Sequence, residues 1–176
     1  MKTILISAGH SDSDPGAVSG TYKEATLAKL MRDRIYHSLC AMKIPTIRDG
    51  DDGVNDPLRK AISLCGKADI AVEIHFNAGA STAHGVEALA KPAQKKLAQA
   101  LCHAIHKSTG ITLRGDYGYR PDDSGQHHRL GFCEAGGIVL ETCFITSRDD
   151  MAFYASNKVA VAKAVAGVLA AYAMRK

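Results

Sequence analysis

Continuous apolar runs alternate along this chain with segments whose apolar positions recur every three or four residues. Thr3 to Ala8 is a short β-rich run that stops at Gly9, as a strand feeding a functional loop would. From about Lys23, Leu27, Leu30, Met31, Arg34, Ile35 and Leu39 repeat at helical spacing, with the Arg34 stem at the edge of the stripe. Ile44 to Arg48 reads as a second strand. Asn55 is placed to cap a helix running to about Cys65, with Pro57 in its first turn. Ala68 to Ile74 is nearly continuous in apolar residues, the pattern of a strand covered on both faces. Val86 to Ala88 is a short fourth strand. Pro92 opens a helix that carries Leu97, Leu101, Ala104 and Ile105 on one face and ends near Gly110. Gly137 to Glu141 is a further buried strand, and Asn157 to Met174 forms the last helix.

Between Gly110 and Gly136 the chain is polar, rich in turn residues and too long for a simple connection, so it is expected to carry function or to move. There is no internal repeat, low-complexity tract or linker. Strands alternating with helices predict one α/β domain over residues 1–176: a twisted, mostly parallel (mixed) sheet with helices on both faces. In such a sheet, ligands sit where the carboxyl ends of strands meet their loops.

Composition fits that picture. Hydrophobic residues make up 46% of the 176 and charged residues 23%, the balance of a globular domain. The longest apolar stretch, Val159 to Met174, is interrupted by Lys163 and dominated by Ala, so it predicts a packed helix and no membrane insertion. The apolar run after Met1-Lys2-Thr3 is too short for a signal peptide. The expectation is a protein made in the cytoplasm and carried outward by other means. The five cysteines, Cys40, Cys65, Cys102, Cys133 and Cys143, are scattered without a CxxC pair, which argues against a disulfide framework or a structural zinc knuckle. Net charge is +4, divided as −1 up to Ala90 and +5 from Lys91 onward. The basic half suits an anionic polymer or an ordinary solvated surface equally well. No interleaving of basic and aromatic residues marks a nucleic-acid groove, and tryptophan is absent.

Polar groups fall at three strand ends: His10 after the first strand, His75 after the third and Glu141 at the end of the late strand. Glu24 starts the first helix, close in sequence to the His10 loop. Two imidazoles and a carboxylate are the ligand set of a catalytic zinc site, which leaves a fourth position for water. A further acidic group held off the metal would relay protons. On spacing alone, any one of the eight histidines reads more readily as a surface or satisfied core residue than as a ligand. The coincidence of His10, His75 and Glu141 at strand ends shifts that balance without deciding it.

The motifs around these residues resemble those of a known family. "ISAGHSDSDPGAVSG" is similar to a first-ligand motif, "KEATLAKLM" to a second-ligand helix, and "RDGDD", "PLRKAISLCGKADIAVEIHFNAG" and "HGVEAL" to a central block. "GIVLETCFITSRDDM" is similar to a last, catalytic motif. In this order, over residues about 3 to 174, they resemble the zinc-dependent N-acetylmuramoyl-L-alanine amidases of sporulation, septation and phage endolysins. The resemblance implies one zinc ion per chain held by His10, Glu24 and His75, Asn77 as companion of His75, and Glu141 as catalytic residue. It implies metal-assisted hydrolysis of the bond between N-acetylmuramic acid and L-alanine in peptidoglycan. The lack of a signal peptide and of a wall-binding domain in the sequence favours a compact enzyme of the phage lysis type over a secreted housekeeping amidase, and a monomer is expected. The sequence departs from the family pattern at Ser11, where Gly is usual, and at Glu73, Cys143 and Ser147, where Ser, Gly and Asn are common. Glu73 and Cys143 either alter the field and sterics of the site or are, respectively, turned away on the strand and a small buried filler.

Other features carry competing readings. His103 and His106 lie at i, i+3 on a helix without a carboxylate to complete a ligand set. His127 and His128, with Tyr117, Tyr119, Arg120 and Arg129, either line a substrate cleft or are exposed. Arg114-Gly115 is similar to a short element preceding the family's next strand. No Cys–His–Asn pattern supports Cys143 as a nucleophile. A zinc peptidase acting on sugar-free peptides and a wall-binding module without catalysis are the alternatives; retention of Glu141 argues against the latter.

Overall fold

The computed structural model describes residues 1–124 and 130–175. The elements are β1 (Ile4–Ala8), β2 (Val18–Ser19), β3 (Tyr22–Lys23), α1 (Glu24–Ala41), β4 (Thr46–Arg48), α2 (Leu58–Cys65), β5 (Ile70–Asn77) and β6 (Glu87–Ala90). They continue with a 3-10 turn (Pro92–Gln94), α3 (Lys95–Thr109), β7 (Tyr119–Pro121), α4 (Gly131–Glu134), β8 (Ile138–Phe144) and α5 (Arg148–Ala173). Six strands form one sheet in the order β4-β1-β5-β8-β6-β7. Pairing is parallel throughout except between β6 and β8. This is the single α/β domain with a mixed, mostly parallel sheet that the alternation predicts.

Strand periodicity divides the core into two layers. Ile4, Ile6, Val72, Ile74, Ala88, Ala90, Ile138 and Leu140 face α1, α3 and α5 in the larger apolar cluster. Leu5, Ala71, Leu89 and Val139 face the short helices α2 and α4 in the smaller one. One face is therefore sealed by three long helices, while the other is covered only in part. The site opens on that second face.

Several boundaries differ from the sequence reading. The buried stripe of α1 runs through Ala25, Ala28, Met31, Arg32, Ile35 and Leu39, while Leu30 is exposed. Arg34 is half-buried at the edge of that stripe, as its position suggests. The arginine that the helix buries is Arg32, whose guanidinium meets Asp33 Oδ1, Asp49 Oδ1 and the carbonyls of Asp49, Asp51 and Val54. Asn55 does not cap α2, whose N-cap is Pro57; its side-chain amide instead donates to Gly9 O at 2.9 Å. The last helix starts at Arg148, nine residues before Asn157, because Ser147 Oγ accepts from Asp150 N and Asp149 and Asp150 occupy the first turn. Within the stretch expected to be a loop, β7 adds an edge strand and α4 packs against α2.

Candidate active site and metal centre

Strands β1, β5 and β8 are parallel, so their carboxyl ends share one edge of the sheet. His75 on β5 lies in register with Glu141 on β8, and Glu141 with Glu87 on β6. The two-residue period puts these three on the partly covered face, together with Ser7 and Glu73, which pair in register one row further back. His10 follows β1 in a left-handed backbone conformation, φ 65°. Glu24 enters as the first residue of α1, which the antiparallel β2–β3 hairpin and the bond from Glu24 N to Ala17 O hold against the loop.

One carboxylate links the two imidazoles. Glu24 Oε2 lies 2.9 Å from His10 Nε2, and Glu24 Oε1 lies 2.9 Å from His75 Nδ1. Backbone amides fix the carboxylate from behind: Ala17 N donates to Oε2 at 3.0 Å and Phe76 N to Oε1 at 3.1 Å. The free imidazole nitrogens have acidic partners, Asp14 Oδ2 at 3.0 Å from His10 Nδ1 and Glu73 Oε2 at 3.0 Å from His75 Nε2. Glu73 therefore faces the site. Cys143 is a buried filler with Sγ 3.9 Å from Met151 Sδ, and burial pushes its thiol well up.

The charges follow from this packing. Burial works against the Glu24 carboxylate, but the bonds from His10 and His75 outweigh it and hold the carboxyl well below the usual range. Burial likewise opposes a charged His75, yet Glu24 and Glu73 raise its pKa well above the ordinary value. His10 is raised chiefly by Glu24. Glu141 has no such donor among the described residues. Burial pushes its carboxyl up to about 7, opposed by His75 and reinforced by Glu24 and Glu87.

His10, Glu24 and His75 each offer a ligand atom within 4.8 Å of the others, the one such cluster among the described residues. The donor set fits zinc, and the backbone makes room for it. A Cβ at Gly16 would lie 2.5 Å from His10 and 2.8 Å from Glu24 Oε2, and one at Gly9 would lie 2.3 Å from His75. Beside the trio, Glu141 Oε2 is buried and has no hydrogen-bond partner among the described residues. All four groups line a cavity of about 420 Å³ walled by Leu58, Leu130 and Phe132.

Sequence reasoning missed Glu87, which accepts from Asn77 Nδ2 at 2.8 Å, Arg114 Nε at 2.8 Å and Arg120 at 3.3 Å. These groups line a second cavity of about 400 Å³ that shares Asn77 with the first. The alternation of Glu87 with Leu89 in a short strand was the available signal. The aromatic part of the expected cleft wall is corrected: Tyr119 is buried in the opposite layer, and Tyr117 stacks on His103. Arg120 does reach the site face. His127, His128 and Arg129 lie outside the described residues. His106 Nδ1 pairs with Ile111 O at 2.8 Å rather than joining His103 in a ligand set.

Two imidazoles and a carboxylate, set beside a separate buried carboxylate at the strand ends of an α/β sheet, are the parts of a metallohydrolase. The chain belongs to the N-acetylmuramoyl-L-alanine amidase family, whose model matches residues 4–171. It is 42% identical to a Neisseria meningitidis protein assigned as an N-acetylmuramoyl-L-alanine amidase, over 97% of this chain and 95% of that one, with a TM-score of 0.89. The catalytic domain of the amidase CwlV from Bacillus (Paenibacillus) polymyxa var. colistinus is 25% identical, over 98% of each chain, with a TM-score of 0.77. The catalytic domain of the CD27L endolysin targeting Clostridia difficile shares the fold, with a TM-score of 0.75 at 18% identity over 97% of this chain and 98% of that one. No curated protein matches the chain significantly. The chain is accordingly an amide hydrolase of peptidoglycan.

Proposed function

We propose that residues 1–176 form one catalytic unit in which His10, Glu24 and His75 hold a zinc ion and Glu141 moves the proton during cleavage of the N-acetylmuramic acid–L-alanine bond. The observation that carries this reading is a three-donor cluster beside a buried carboxylate whose Oε2 has no partner among the described residues, all in one cavity. When bound, zinc supplies Lewis acidity, lowering the pKa of a water and polarising the scissile carbonyl. Glu141 Oε2 accepts the proton of the attacking water and delivers it to the departing alanine nitrogen. Burial suits Glu141 to both tasks, because a carboxyl shifted towards neutrality accepts a proton and then releases it. Leu58, Leu130 and Phe132 limit water around the reacting groups.

Arg114 and Arg120 supply two positive charges against the single carboxylate of Glu87, which suits that neighbouring cavity to the carboxylates of the stem peptide. All four principal groups come from one chain, which supports action as a monomer. The place of action is the cell wall, where peptidoglycan is; no helix among the described residues is long and apolar enough to cross a membrane. Bacterial amidases and an endolysin share this fold, so the fold selects neither a housekeeping nor a lysis role.

The test is Glu141→Gln. The variant is expected to bind zinc as the wild type does and to lose roughly 10²–10⁴-fold in turnover on purified sacculi. Since Glu141 acts ionised, the wild-type acid limb of kcat/KM is expected between its ordinary 4.5 and about 7, the bound cation pulling it down from the upper value. A loss under about tenfold, on the scale of such groups, would move the proton relay to another residue.

A further inference from the structure

We propose that Glu73 is a positioning residue for the zinc site: it accepts a hydrogen bond from His75 Nε2 and so commits Nδ1 to the metal. The inference rests on the reading of His75 as a zinc ligand. A neutral imidazole has one N–H and one lone pair, so a ring that gives one nitrogen to a metal must present the other as a donor. His75 divides its nitrogens in this way. Nδ1 faces the ligand cluster, 2.9 Å from Glu24 Oε1, and Nε2 faces Glu73 Oε2 at 3.0 Å. Glu73 itself does not belong to the set of mutually close donors. Its place is behind the ligand, the arrangement in which an outer carboxylate fixes the tautomer and orientation of a metal-binding histidine.

The surroundings of Glu73 support this role. The residue is buried, and its side-chain partners are Ser7 Oγ at 3.4 Å and His75. Among the described residues no lysine or arginine pairs with it, so His75 is the titratable partner of this buried carboxylate. Gly9 closes the remaining side: a Cβ there would lie 2.3 Å from His75 Nε2 and Cε1. Ring orientation is thus set by Glu24 on one edge and by Glu73 with the backbone of Gly9 on the other.

The experiment measures zinc dissociation constants of the full chain by competition with a chromophoric chelator. It compares wild type, Glu73→Gln, Glu73→Asp and His75→Ala, and records the visible spectrum of the cobalt-substituted forms. Glu73→Gln is expected to weaken zinc binding by about 10–100-fold, the usual loss for such a partner, and to alter the cobalt bands without lowering the melting temperature of the metal-free protein. Glu73→Asp is expected to recover part of that affinity. A purely structural Glu73 would show the reverse, a lower metal-free melting temperature with zinc affinity intact, and the proposal would fall. It would also fall if Glu73→Gln bound zinc more tightly, since Glu73 would then be competing for His75, or if Asp bound no better than Gln. If His75→Ala kept wild-type affinity, the ligand reading itself would be lost, and the role of Glu73 with it.

Discussion

Glycine at positions 9 and 16 lets two imidazoles and a carboxylate share one corner of the sheet. Gly16 has φ +63° and lies against both His10 and Glu24, so a side chain there is strained and displaces these two groups together. Gly16→Ala is therefore expected to cost about 1–3 kcal/mol in stability and to weaken zinc binding at least about tenfold. Chemical unfolding and metal titration of the variant check the two effects; a loss of stability with unchanged zinc affinity would mean that the loop does not hold the ligands. His10, His75 and Glu141 stand at the ends of apolar runs and Glu24 at the start of a helical stripe. Patterning left them open, and the resemblance of the surrounding motifs to the amidase family is what joined them into one candidate site. Glu87, and the direction in which Glu73 points, depend on strand register. A sequence shows the alternation of a strand but not which of its faces is covered.

At the level of helices and loops, Arg32 shows what apolar patterning leaves out. Its head group ties α1 to residues 49–54, and that segment places Asn55 on Gly9 and its carbonyl on Asp12 N. The guanidinium is fully buried, and so is its partner Asp49. Removing one member of such a pair leaves the other charge uncompensated, at about 3–5 kcal/mol. Arg32→Ala is expected to lose stability of that order in urea denaturation, and to loosen the His10 loop as measured by hydrogen exchange at Gly9 to Asp12. A cost under about 1 kcal/mol, the value of a surface pair, would mean that the segment holds itself. The periodicity passed over Arg32 because Leu27 and Leu30 drew the stripe to one side. Small residues, Ala25 and Ala28, mark the packed face where α1 lies close to the sheet. The start of α5 escaped for a similar reason: its first turn is polar, and the cap at Ser147 rather than apolar spacing defines it.

Across the molecule, the order of strands and helices was readable because alternation of the two periods leaves few ways to build a sheet. The unequal covering of its faces was not, since α4 is a single turn inside a polar stretch. That inequality places several titratable groups in one partly covered cavity, with a consequence for stability. Glu24 is depressed in the folded state, so its contribution is present above 4.5 and is lost as pH falls below. His10 and His75 are raised, so theirs is present below 6.5 and is lost as pH climbs through their folded values. Glu141 and Asp49 are raised by burial to about 7 and about 6, which also removes stability as pH rises. Metal-free protein is thus expected to melt highest near about pH 5 and progressively lower towards pH 8. Zinc needs the deprotonated histidines, so its stabilising effect should grow over the same interval. Melting curves with and without zinc across that range check the sign. A zinc effect that shrinks with pH would be inconsistent with histidine ligands.

The decisive measurement is a titration of chelator-stripped protein with zinc, at protein concentrations well above the dissociation constant, while amide cleavage of purified sacculi is followed by the appearance of new alanine amino groups. If His10, Glu24 and His75 hold the metal on which the amidase depends, turnover starts near zero, rises linearly and breaks at one zinc per chain; the His75→Ala protein shows no break. Full turnover in the stripped protein, or the same break in the His75→Ala protein, would contradict the zinc site described here.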